Sequence, residues 1–124
     1  MPHVVIEYSA NLEAFVDPMR LVDAVFGAVT ALPIFDPPGI RVRAARCDDY
    51  RIADGDPEHA FVAVTGRIGP GRSQEARKAA SEAIMAALFD AVEPIYQSRR
   101  LLLSVEVTEF DGAGMTRRNS LRER

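Results

Sequence analysis

Two strand–helix–strand patterns of about sixty residues each run through this chain, and that duplication leaves few folds open to it. In the first, His3-Val4-Val5-Ile6-Glu7-Tyr8 reads as a short β-branched strand with a turn at Ser9-Ala10-Asn11. Asp17 before Pro18 is the cap and first-turn pair that starts a helix. Val22, Val25, Phe26 and Val29 then recur at helical spacing and predict one apolar face. Pro33, Pro37 and Pro38 close that helix, and Ile40-Arg41-Val42-Arg43-Ala44 alternates as a half-buried strand should. Residues 48–59 are polar, contain Gly55 and Pro57, and read as a loop.

The second half repeats the plan. Phe61-Val62-Ala63-Val64-Thr65 is a strand, Gly69-Pro70-Gly71 a tight turn, and Ser73 a helix cap. Ala80, Ala83, Ile84, Ala87, Leu88, Ala91 and Ile95 line one face of the helix, and Pro94 falls near its end. Leu103, Val105 and Val107 alternate with Ser104, Glu106 and Thr108 as a fourth strand. The expectation is an α+β, two-layer fold with a four-stranded sheet and both helices on one face. A ferredoxin-like arrangement has the same element order, but the loop at 48–59 is long for its central hairpin and favours two βαβ halves side by side. Residues 1–110 form a single domain, with halves at 2–48 and 60–109. Residues 111–124, with four Arg, two Gly and little to bury, form a C-terminal tail suited to packing on a neighbouring subunit. The helix-free sheet face needs a partner, which subunit assembly provides.

Composition narrows the function. With 124 residues, 48% hydrophobic and 27% charged, the chain supports one ordinary core. A net charge of −3 gives no global attraction to nucleic acid or anionic membrane. The single cysteine, Cys47, forms no internal disulfide, and no Cys/His cluster suggests zinc. No apolar run is long enough for a membrane span and the first residues lack signal-peptide character, so a cytoplasmic location is expected. Fourteen of the fifteen basic residues are Arg. The bland reading is genomic codon bias, yet each Arg that reaches a pocket is a potential bidentate carboxylate ligand.

Several residues carry possible chemistry. Gly66-Arg67-Ile68-Gly69-Pro70-Gly71-Arg72-Ser73 nearly spells a phosphate loop, with Arg72 in the lysine position. The missing lysine and the short chain argue against nucleotide hydrolysis. Two readings remain: an anion site of helix N-terminal amides with Arg72 beside them, or a capped turn with a solvated arginine. Arg41 and Arg43 share one strand face, which is therefore solvent-facing or a site for an acidic ligand. Pro2 follows Met1, and two readings stay open: a proline at position two by accident, or one that aminopeptidase removal of Met1 turns into a secondary amine able to act as a base. His3 and His59 have no nucleophile at a meaningful spacing and read as structural. Cys47 reads as a packed thiol, and Asp48 and Asp49 as solvated loop acids.

Taken in order, Met1-Pro2-His3, Glu7-Tyr8-Ser9 with Asn11, Gly39-Ile40-Arg41-Val42-Arg43, Ala53-Asp54-Gly55 and Ile68-Gly69-Pro70-Gly71-Arg72-Ser73-Gln74-Glu75-Ala76-Arg77 carry a specific pattern. The chain resembles the 5-carboxymethyl-2-hydroxymuconate Δ-isomerase family of the tautomerase superfamily from residue 2 to about residue 109. That resemblance implies a homotrimer without cofactor or metal, acting in bacterial homoprotocatechuate breakdown. It implies Pro2 as the general base, Arg72 as a catalytic arginine that polarises the developing 2-oxo group, and Arg41 as a carboxylate ligand. Arg43 is a secondary substrate-binding candidate. Two other readings stay open here: a related tautomerase acting on another enol or dienol carboxylate, and a non-enzymatic trimeric binding module.

Overall fold

The structure is a computed structural model and describes residues 2–122. Four strands, β1 (His3–Ser9), β2 (Arg41–Cys47), β3 (Ala60–Ile68) and β4 (Leu101–Glu109), form one sheet in the order β2-β1-β3-β4. β1 and β2 are parallel, as are β3 and β4, while β1 and β3 run antiparallel at the centre. The two βαβ halves therefore lie side by side, as the long 48–59 loop favours.

Helix α1 (Pro18–Thr30) starts where the cap pair directs: the Asp17 carboxylate accepts from Met19 N at 2.9 Å, and Pro18 opens the first turn. Helix α2 (Gln74–Ser98) is capped by Ser73, whose Oγ accepts from Ala76 N at 3.1 Å. Both helices pack on the sheet face that carries the even-numbered residues of β1 and β3. Val4, Ile6, Val62 and Val64 meet Leu21, Val25, Val29, Ile84, Leu88 and Val92 in one continuous core.

The first helix departs from the expected stripe. Leu21, Val25 and Val29 are buried, whereas Phe26 is 45% exposed. Val22 and Phe26 also follow helical spacing, but the stripe that meets the sheet lies about one position toward Leu21. In α2 the face built around Ala80, Ile84, Leu88 and Ile95 is buried as expected, with Val92 added. The opposite sheet face carries no helix and presents His3, Val5 and Glu7 of β1 beside Arg41 and Arg43 of β2. Across the central pair, the same face shows Thr65 and Arg67.

Candidate active site

One end of the sheet gathers most of the residues singled out for chemistry. β1 and β2 begin there and β3 and β4 end there, because β1 and β3 are antiparallel. Pro2 is buried immediately before β1, and its carbonyl accepts from the amide of Arg41 at 3.1 Å. This bond ties residue 2 to the first residue of β2. Alternation along β2 then puts Arg41 and Arg43 on the helix-free face, both exposed.

His3 lies among these cations. It is paired with Arg41 on one side and Arg67 on the other, and Arg43 Nε donates to His3 Nε2 at 3.3 Å. Burial, and then the positive charges of Arg41, Arg43 and Arg67, hold the imidazole pKa below its usual 6.5. The neutral ring is thus the favoured form and can accept from Arg43. Arg67 was not anticipated from the sequence. Extending the alternation of Phe61, Ala63 and Thr65 by one step is the signal that places it on this face.

Arg72 reaches the same end from the turn between β3 and α2. Its guanidinium donates to the carbonyl of Ile34 at 2.6 Å, joining the second half of the chain to the loop before β2. Gly71 adopts φ +104°, a conformation glycine takes without a Cβ clash. The Gly71 and Arg72 amides both point at Glu109, whose Oε2 accepts from them at 2.8 and 3.3 Å. Of the two readings of this turn, an anion site or a capped turn, the contact favours the second at the Gly71 and Arg72 amides. The chain's own carboxylate already takes the two donors, and the Ser73 hydroxyl takes that of Ala76. The Arg72 side chain is thus carried on a turn that Glu109 holds still.

Other candidates lie elsewhere. His59 sits at the opposite end of the sheet, where a ring nitrogen is 2.7 Å from Asp54 Oδ1. Cys47 is a partly buried free thiol at the end of β2. Asp48 and Asp49 are exposed, and Asp48 pairs with Arg46 at 3.0 Å. Among the described residues, no cluster of His, Cys, Asp and Glu suits a metal ion, and no helix is long and apolar enough to cross a membrane.

A duplicated βαβ unit on one four-stranded mixed sheet is the fold of the tautomerase superfamily. The chain belongs to the 5-carboxymethyl-2-hydroxymuconate isomerase family, whose model matches residues 2–124. It is 36% identical over 110 residues to the 5-carboxymethyl-2-hydroxymuconate Delta-isomerase of Escherichia coli, covering 89% of this chain and 87% of that protein. The crystal structure of a 5-carboxymethyl-2-hydroxymuconate isomerase from Deinococcus radiodurans R1 superposes with a TM-score of 0.88 at 37% identity, covering 97% of this chain and 90% of the other. The fold alone is shared with a fused 4-OT symmetric trimer, at TM-score 0.66 and 14% identity over 93% of this chain and 92% of that one.

Proposed function

We propose that this chain converts 5-carboxymethyl-2-hydroxymuconate to its 2-oxo-3-ene tautomer, as a homotrimer, in the breakdown of homoprotocatechuate. Pro2, freed of Met1, is the general base. Its neutral secondary amine takes the enol proton, and the resulting ammonium returns a proton at carbon 5. Arg72 polarises the oxygen that becomes the 2-oxo group, and Arg41 binds a substrate carboxylate, with Arg43 as a secondary ligand. The chemistry is self-consistent at the charge level. Guanidinium groups near Pro2 disfavour a further positive charge, so they favour the neutral amine that the first step needs. They also offset the negative charge of the dienolate as it forms.

The observation that supports this reading best is the bond between Pro2 O and Arg41 N. It holds residue 2 beside the head of the arginine-bearing strand, at the sheet end that also receives the Arg72 turn, which supports that role for Pro2. The test combines N-terminal mass analysis with an absorbance assay on the muconate and on simple enol acids. Loss of Met1 and a strong preference for the muconate are expected. Arg72→Ala is expected to lower kcat/KM about 100-fold, the scale of one preorganised oxyanion donor. Retained Met1 in fully active protein excludes Pro2 as the base. Equal turnover of simple enol acids points to a tautomerase of another substrate.

A further inference from the structure

The C-terminal tail returns across the Pro2 end of the sheet. It leaves β4 at one edge, where Phe110 N donates to Ile68 O at 2.9 Å, and is tied down again at the other edge, just ahead of β2. That path spans three inter-strand gaps, roughly 14 Å. At its far end Asn119 Nδ2 donates to Pro38 O at 2.8 Å, and the Arg122 guanidinium donates to the Asp36 carboxylate at 2.6 Å. Leu121 N donates to Asn119 Oδ1 at 2.8 Å, which fixes the direction of the Asn119 amide.

Between the tail and the loop lies a cavity of about 280 Å³, walled by Pro38, Gly39 and Arg41 on one side and Arg117, Arg118 and Asn119 on the other. That volume sits near the lower end of the range for small-molecule sites, about 300 Å³. Three guanidinium-bearing residues share this space. Among the described residues, no carboxylate is within ion-pair distance of Arg41, Arg117 or Arg118. Like charges gathered around one cavity are stabilised by an anion supplied from outside.

We propose that the tail is a strap that completes a carboxylate pocket over Arg41. In it Arg117 and Arg118 are specificity-determining ligands, and Asn119 is the positioning residue that seats them. The ligand class rests on the isomerase reading: with Arg72 given to the 2-oxo oxygen, Arg41 and Arg43 leave one of the three substrate carboxylates without a partner. The same geometry explains why a segment with little to bury is anchored at both of its ends.

The experiment measures tricarballylate, a saturated tricarboxylate with no enol to turn over, by calorimetry on the full chain. Wild type, Arg117→Gln/Arg118→Gln and Asn119→Ala are compared, with inorganic phosphate as the non-carboxylate anion. Wild type is expected to bind tricarballylate at least tenfold more tightly than phosphate. The double variant should lose at least tenfold in affinity and Asn119→Ala at least threefold. Arg117 and Arg118 are exposed, so matched circular dichroism spectra are expected for the double variant. On the muconate, the double variant should raise KM about tenfold with kcat within twofold. Equal tricarballylate affinity in wild type and the double variant overturns the pocket even if the muconate is turned over. Absent binding to wild type, or phosphate binding as tight as tricarballylate, overturns it too. A wild type that binds tricarballylate but leaves the muconate unchanged overturns the isomerase reading alone.

Discussion

At the scale of single residues, the Pro2 end is an electrostatic arrangement centred on His3. The imidazole accepts from Arg43 and faces Arg41 and Arg67, so protonating it adds a fourth positive charge to that face. Its folded pKa lies below the unfolded 6.5, with burial as the first cause and the three arginines after it. A lowered value means the unfolded state binds the proton more readily. The contribution of this site to stability is therefore present above pH 6.5 and lost as pH falls through the folded value. Imidazole titration by NMR is expected to give a His3 midpoint below 6.5, and Arg43→Gln should move it upward. A midpoint at or above 6.5 in wild type contradicts this picture. Part of the arrangement was legible in the sequence. Arg41 and Arg43 share a face because strand alternation is a local rule, and Pro2 and Arg72 stood out as chemistry without any neighbour. Arg67 lay just beyond Thr65, where Gly66 interrupts the strand pattern. Glu109 was not legible at all: its bonds to Gly71 and Arg72 span nearly forty positions, and nothing local marks an acid at a strand end as the holder of a distant turn.

At the scale of elements, caps were the most readable signals because they act over two or three residues. Asp17 with Pro18 and Ser73 each start a helix where the sequence places them. Strand ends were less readable: β3 extends from Ala60 to Ile68 and β4 from Leu101 to Glu109, since pairing with neighbours continues past the apolar alternation. The tail was legible as poor in apolar residues, but its return to Pro38 and Asp36 depends on contacts that no local pattern encodes. Helix α2 holds one element-level conflict. It continues to Ser98 with Pro94 inside it, so the carbonyl one turn earlier lacks its usual amide donor. Proline in a helix interior costs about 3 kcal/mol relative to alanine, and its stiffening of the unfolded chain returns about 1 kcal/mol at most. Pro94 is exposed, so its replacement loses no core packing. Pro94 also lies in the helix's last two turns, where part of the strain is released. Pro94→Ala is accordingly expected to raise unfolding free energy by about 1–2 kcal/mol in urea titrations at fixed protein concentration. A decrease shows that the ring makes contacts worth more than the missing hydrogen bond.

At the scale of the whole molecule, the helices leave one sheet face and two edge strands to be dealt with. The face is not uniformly polar: Val5, Phe61 and Ala63 are partly buried there, while Arg41, Arg43 and Arg67 crowd its Pro2 end. Leu102, on the same face as Phe61 and at the β4 edge, is 62% exposed. An edge strand with unpaired backbone groups and an exposed leucine is a feature that single chains avoid and that subunit contacts use. The proposed trimer gives Leu102 a role, because a second copy seated on this edge removes the leucine from water and pairs the strand. The consequence is measurable. Light scattering at micromolar concentration should give three times the 13.6 kDa chain mass for wild type. Leu102→Asp should lower that mass toward one chain and weaken isomerase activity with it. The substitution places a charge where burial of an apolar side chain otherwise stabilises association by about 2 kcal/mol per copy. Circular dichroism should stay unchanged, since Leu102 is no part of the core that Leu103 and Val105 join. A variant that keeps the wild-type mass shows that association, if present, uses the other edge or the open face without β4. A wild type that scatters as one chain ends the trimer reading outright.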